Sequence, residues 1–183
     1  MKRSREQFLT ALNDLTGGNG ELYEVADEGE KAVTIAVYPD VPDPGRTIAF
    51  SFGLSCASHE EWAHGKPELM ISVKSRDVSW ALCMGEIIRA ERARCLFEHG
   101  SILHFKETIE DGSPLTSFFV FASNLLDQDQ RTIVLEDRTI NVAQIYPIYE
   151  SEAALIRELG IQRFFWDLGI EFEDVHRAPA VLP

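Results

Sequence analysis

Thr47-Ile48-Ala49-Phe50-Ser51-Phe52-Gly53-Leu54-Ser55, followed after a polar loop by Pro67-Glu68-Leu69-Met70-Ile71 and then by a helix opening near Asp77, is the stretch on which the fold of this chain turns. Arg46 to Phe52 reads as a strand ended by glycine. Glu68 to Lys74 reads as another, with Leu69, Ile71 and Val73 on one face at period two. The helix, Asp77 to Phe97, turns Trp80, Ala81, Met84, Ile87, Ile88 and Cys95 to one side at about 100° per residue. Ser75 or Asp77 can cap it, and His99-Gly100 is its expected stop. Glu91 falls inside the apolar stripe, where a carboxylate is expected to lean out to Arg94 or to solvent. The loop His59-Glu60-Glu61-Trp62-Ala63-His64 holds residue types that suit either a hydrolase or a partner surface.

Outward from this stretch the pattern stays simple. Ser4 to Leu15 predicts a helix with Phe8, Leu9, Leu12 and Leu15 on one face, ended by Gly17-Gly18-Asn19-Gly20. Ala32 to Tyr38 alternates as a strand, and Pro39-Asp40 and Pro42-Asp43-Pro44-Gly45 supply turns. Downstream, short strands are expected at Ser101 to Phe105, Leu115 to Phe121, Thr132 to Leu135 and Ile140 to Ile148. Ser117 to Phe121 is almost continuously apolar, as in a strand covered on both faces. After Pro147 a helix capped by Glu150 or Ser151 runs to Leu159, Gly160 stops it, and Ile161 to Leu168 forms a shorter one. The tail from Arg177 has prolines and no pattern. The expected organisation is one domain over 1–177 and a flexible tail over 178–183. The fold class is α+β, a mostly antiparallel sheet packed with helices.

Composition bounds the function. At 183 residues and 45% hydrophobic, the chain can bury one core, and 26% charged residues is ordinary. A formal net charge of −13 is not. It argues against a nucleic-acid backbone or an anionic membrane as partner, and permits a basic protein reached by electrostatic steering, with solubility alone as the other reading. Met1 to Thr10 lacks the apolar region of a secretory signal, and no apolar run approaches the roughly 20 residues of a membrane span. Cys56, Cys83 and Cys95 have no metal or disulfide spacing and read as reduced thiols, so the expected location is cytoplasmic.

The loop does not carry recognisable chemistry. A zinc-protease helix needs its histidines at i and i+4; His59 and His64 stand at i and i+5, roughly 140° apart on a helix. A nucleophile elbow needs Gly-x-Ser-x-Gly, and Ala57 occupies the second glycine position after Gly53-Leu54-Ser55. A hydrolase using Ser55 or Cys56 with His59 or His64 stays open only because triad members need not be neighbours in sequence. No phosphate loop, dinucleotide fingerprint or calcium loop is present, so no catalytic residue, cofactor or metal is expected.

Taken in order, Thr47 to Ser55, then Pro67 to Ile71 leading to a tryptophan-bearing helix, resembles the suppressor of fused domain, in which a T-x-x-S/T-x-G-L/M-S strand precedes an E-L strand and a helix. Ile140 to Glu152 resembles the family's closing block, where a Pro-Ile/Leu step leads into an amphipathic helix, a glycine and a second helix. Asp174 and Arg177 fall where that family often ends in an Asp and an Arg. The resemblance covers about residues 30 to 177, with the His59 to His64 loop as a departure. It implies binding rather than catalysis: eukaryotic members sequester a transcription factor in hedgehog signalling, and single-domain bacterial members look like immunity proteins of polymorphic toxin systems. Without the eukaryotic C-terminal half, the chain resembles the bacterial kind. The expected partner is therefore a protein, a basic toxin domain, met by Glu60, Glu61, Trp62, Tyr149, Glu150 and Glu152 as acidic and aromatic contacts. A scaffold that offers a sheet edge to an extended peptide is the other binding reading.

Overall fold

The structure, a computed structural model, describes residues 2–27, 31–62 and 65–181. Its strands are β1 (Glu21–Val25), β2 (Val33–Pro39), β3 (Thr47–Phe52), β4 (Lys66–Val73), β5 (Ile102–His104), β6 (Ser117–Phe121), β7 (Thr132–Val134) and β8 (Thr139–Ile148). They form one sheet in the order β1-β2-β3-β4-β8-β6-β5, with β7 beside the start of β8. Every pairing is antiparallel except β4 with β8, which run parallel from Lys66↔Ile140 to Ile71↔Ile145. The helices are α1 (Lys2–Thr16), α2 (Ser79–Glu91), α3 (Glu150–Leu159) and α4 (Ile161–Trp166). The α+β class with a mostly antiparallel sheet is what the sequence predicts.

Period-two alternation explains why both faces are covered. Ile35, Ala49, Ile71, Phe118 and Ile145 point to the face where α2 lays Trp80, Met84 and Ile88. Ala36, Phe50, Met70 and Ile140 point the other way, against Phe8 and Leu12 of α1. Further along that second face, Phe119 and Tyr146 meet Phe164, Phe165 and Phe172. Phe119 and Tyr146 stack with centroids 5.0 Å apart, and Phe165 stands edge-on to both. Burying each aromatic side chain contributes roughly 1.5–3 kcal/mol, so this cluster is the main tether of α4 to the sheet.

Several expected boundaries shift, each for a local reason. β1 is unexpected from sequence. Glu-Leu-Tyr-Glu-Val hides the alternation because only Val25 is buried in an edge strand. α2 stops at Glu91 rather than Phe97, and the chain turns through Arg92 to Arg94 so that Phe97, at φ 53°, can be buried. His99-Gly100 therefore does not stop the helix; the Gly100 N–H donates to the Val120 carbonyl at 2.8 Å and leads into β5. Glu91 leans out to Arg94 (3.2 Å), as expected. Ser75 and Asp77 both accept hydrogen bonds ahead of α2, from the N–H groups of Asp77 (3.0 Å) and Ser79 (2.8 Å). The cap of α3 is Tyr149 rather than Glu150 or Ser151, and its N–H donates to the Glu152 carboxylate at 3.0 Å.

The C-terminal stretch is a strap. Lys74 N–H donates to the Glu173 carbonyl (2.7 Å), Ser113 Oγ to the Val175 carbonyl (2.6 Å), and Tyr149 Oη to the Arg177 carbonyl (2.5 Å). Arg177, the last residue of the expected domain, is buried, and beyond it the Ala180 N–H donates to Glu152 at 2.7 Å.

Candidate functional site

Glu68 builds the frame of the site. It is fully buried on β4, opposite the end of β3, and accepts Ser51 Oγ (2.6 Å) and the backbone N–H groups of Gly53 (2.8 Å) and Ser55 (3.0 Å). Ser51 Oγ in turn accepts the Leu69 N–H at 2.9 Å. This network bends the chain at Gly53 (φ 142°), where a Cβ would lie 3.2 Å from the Ala32 carbonyl, and starts the 3-10 turn Leu54–Cys56. Burial pushes the Glu68 carboxyl above its ordinary range, and the three hydrogen bonds from Ser51, Gly53 and Ser55 oppose that shift without cancelling it. The residues that give Thr47 to Ser55 and Pro67 to Leu69 their pattern thus answer one demand, a buried acid with its donors.

Arg138, on the turn before β8, fastens the same turn from outside: its Nη1 donates to the Ser55 carbonyl at 2.8 Å and lies 3.7 Å from Cys56 Sγ. Sequence reasoning passes over Arg138, since nothing local links it to a turn 83 residues away.

From this frame the loop crosses to the end of α2. His59 Nε2 donates to the Arg92 carbonyl (2.8 Å), and Trp62 Nε1 donates to the Leu96 carbonyl (3.2 Å). The two rings lie 4.4 Å apart. Trp62 is half-buried against the α2-side core, while Glu60 and Glu61 are exposed. The loop therefore presents two carboxylates beside the free edge of an anchored indole.

The second group of expected contacts lies elsewhere. The loop precedes β4, whose start pairs with the start of β8, whereas Tyr149 and Glu150 follow the end of β8. Some eight residues of strand, roughly 26 Å, separate the two levels, so they do not form one patch. Tyr149 is half-buried and Glu150 exposed. Glu152 does not belong to a surface at all. It has no exposed side chain, and both oxygens are occupied by Arg177 (2.6 Å each), with Tyr149 N–H and Ala180 N–H completing its shell. The acidic spacing Glu150-Ser151-Glu152 looks like a surface cluster because the partner that buries Glu152 comes 25 residues later. Asp174 and Arg177 stand out in the sequence only through the family resemblance, and the pairing could not be read from it.

Among the described residues, neither Ser55 nor Cys56 is hydrogen-bonded to His59. Ser55 is fully buried, its N–H is given to Glu68, and His59 directs its Nε2 to a backbone carbonyl. Cys56 is half-buried beside Arg138, and His64 lies outside the described residues. Among the described residues no three of His, Cys, Asp or Glu could hold a metal ion, and no helix is long and apolar enough to cross a membrane.

A family model described as suppressor of fused protein (SUFU) matches residues 29–178. No curated protein matches the chain. Among solved structures, a proposed SUFU homologue from Neisseria gonorrhoeae is similar over 100% of both chains, with a TM-score of 0.75 and 12% identity. Drosophila Suppressor of Fused is similar with a TM-score of 0.67 and 14% identity, over 97% of this chain and 51% of that one. A chain of a Sufu–Fu complex gives the same TM-score and identity over 97% of this chain and 92% of that one. At these identities the likeness is one of fold.

Proposed function

This chain belongs to the suppressor of fused family, and from that premise we infer that it is a non-catalytic protein-binding domain, an immunity protein that neutralises a basic toxin domain. One observation carries the reading: Glu60 and Glu61 stand exposed beside an indole anchored to the end of α2, on a chain of net charge −13. A fixed aromatic edge needs little ordering on contact, and neighbouring carboxylates steer and orient a cationic partner. A related fold occurs in a Sufu–Fu complex, which supports binding as the general activity.

A second reading, capture of an extended peptide, rests on β5. Val120 N–H donates to the Ser101 carbonyl and Phe105 N–H to the Thr116 carbonyl, each at 2.9 Å. Alternation along an antiparallel ladder then turns the N–H and C=O groups of Ile102 and His104 away from β6, to the open edge. A cavity of about 520 Å³ lies alongside, between β5 and the end of α2, with Ile87, Cys95 and Phe105 in its wall. Cys95 and Leu96, which receives the Trp62 bond, place this edge and the acidic loop on either side of one segment.

Two experiments test and separate the readings. Immunity predicts a toxin reading frame beside this gene, and expressing that domain with and without the protein tests it; absence of such a frame, or failure to restore growth, removes the reading. Purified partner is then titrated with the Glu60→Lys/Glu61→Lys variant and with Ile102→Pro, which cannot donate from the β5 edge. Loss with the first variant alone supports the acidic loop, and loss with the second alone supports the edge.

A further inference from the structure

We propose that the exposed face of α4 associates with the same face of a second copy of this chain, forming a weak two-fold dimer centred on Trp166. This face is distinct from the surfaces assigned to a protein partner, and the inference does not rest on that assignment.

Trp166 is the residue out of place. It is 67% exposed, whereas Trp80 is fully buried and Trp62 is half-buried against the core. The indole is also held still. Phe165 stands edge-on to it at 4.7 Å, and Phe165 is itself packed against Phe119, Tyr146 and Phe172. Phe121, half-buried at the end of β6, lies 5.0 Å from Phe165 and meets the exposed His99 at 5.2 Å, so aromatic surface continues beyond the indole. A large apolar side chain fixed in the open loses little freedom on contact and has much water to shed. Tryptophans so placed are the usual anchors of an interface.

The charges choose the occupant. At 100° per residue, Gln162, Arg163, Trp166 and Asp167 share one side of α4, opposite Phe164 and Phe165, and all four are exposed. Arg163 and Asp167 lie one turn apart, with Nε and Oδ2 separated by 3.7 Å. From Arg157 to Asp167 the exposed charges are two positive, Arg157 and Arg163, and two negative, Glu158 and Asp167. That stretch is neutral on a chain of net charge −13. A strongly basic partner gains nothing from it, and a second copy meets no local repulsion there. At physiological salt the charges elsewhere are screened beyond about 8 Å.

A two-fold contact needs a self-complementary surface, in which one residue meets another and the reverse holds across the axis. Two α4 helices set antiparallel satisfy this. Arg163 of each copy faces Asp167 of the other, and the two indoles pack beside them. The existing Arg163–Asp167 pair is exposed and contributes little, so exchanging it between copies costs little. A face built on a six-residue helix is smaller than the roughly 800 Å² per partner of a standard interface. The dimer should therefore be transient, with a dissociation constant on the order of 10–100 μM.

Sedimentation equilibrium of the full chain at about 0.15 M salt, from roughly 1 to 500 μM, tests this. A reversible monomer–dimer equilibrium is expected. Trp166→Ala should weaken it at least about tenfold without lowering the melting temperature. Arg163→Asp and Asp167→Arg should each weaken self-association by a similar factor, since each then sets like charges against one another. An equimolar mixture of those two variants should recover dimer, because each copy now offers the charge the other lacks. A chain monomeric throughout the range overturns the proposal. So does a dimer indifferent to Trp166→Ala, or a mixture that associates no better than either charge variant alone.

Discussion

Replacing Glu68 tests whether a buried acid holds the turn on which the site is built. Glu68→Ala leaves the N–H groups of Gly53 and Ser55 without their acceptor, in a region where neither residue is exposed. An unmet buried donor costs about 1–3 kcal/mol. Two of them, with the lost packing, set the expected loss at about 4 kcal/mol, or roughly 8–16 °C in melting temperature for a chain of this size. Glu68→Gln keeps one acceptor oxygen and should cost far less. The two variants also differ from the native protein in pH dependence. Burial raises the Glu68 pKa above its ordinary 4.5, so the unfolded chain releases this proton before the folded one does. Native stability relative to Glu68→Gln should therefore be greatest below pH 4.5 and fall as the pH rises through the raised folded-state value. Urea unfolding of both proteins across a pH series measures the difference directly. A native protein that gains on Glu68→Gln with rising pH would refute the reasoning, because it would mean that the donors outweigh desolvation.

Arg177→Met strands the Glu152 carboxylate, which has no exposure, and should cost roughly 3–5 kcal/mol by denaturant unfolding. Adding Glu152→Gln should restore much of that, and a single variant within about 0.5 kcal/mol of native would show that the strap is held by other contacts. Gly85→Ala should destabilise by about 1–3 kcal/mol in a thermal melt despite the better helix propensity of alanine. Its Cβ would meet Val25 Cγ2 at 2.8 Å, and a gain in stability would contradict that packing. Glu150→Lys reverses a charge in the first turn of α3 and should cost about 0.3–1 kcal/mol of stability. It should leave partner affinity unchanged if the loop at the other end of the sheet makes the contact, and a large affinity loss would move the interface to Tyr149.

Most of the fold is legible because it rests on local rules. β2, β3, β4 and β8 follow their apolar alternation, and Gly160, at φ 79°, divides α3 from α4 where its sequence position predicts. Boundaries fail where tertiary packing overrides propensity. Ala90 to Arg94 favour helix, yet the need to bury Phe97 ends α2 early. β1 is silent because an edge strand with one covered side chain leaves almost no pattern. The site was legible in part. Glu60, Glu61 and Trp62 are recognisable as a loop from their own sequence, whereas the fate of Glu152 depends on Arg177 and that of Ser55 on Glu68 and Arg138. Pairings across such distances are set by the fold and have no local signature.

Whether the acidic loop anchored by Trp62 receives a basic protein is decided by the affinity of the purified partner for the Glu60→Lys/Glu61→Lys variant at low and high salt. Binding should be at least about tenfold weaker at low salt, with a flattened salt dependence and an unchanged melting temperature. Native affinity with a native salt slope would contradict it.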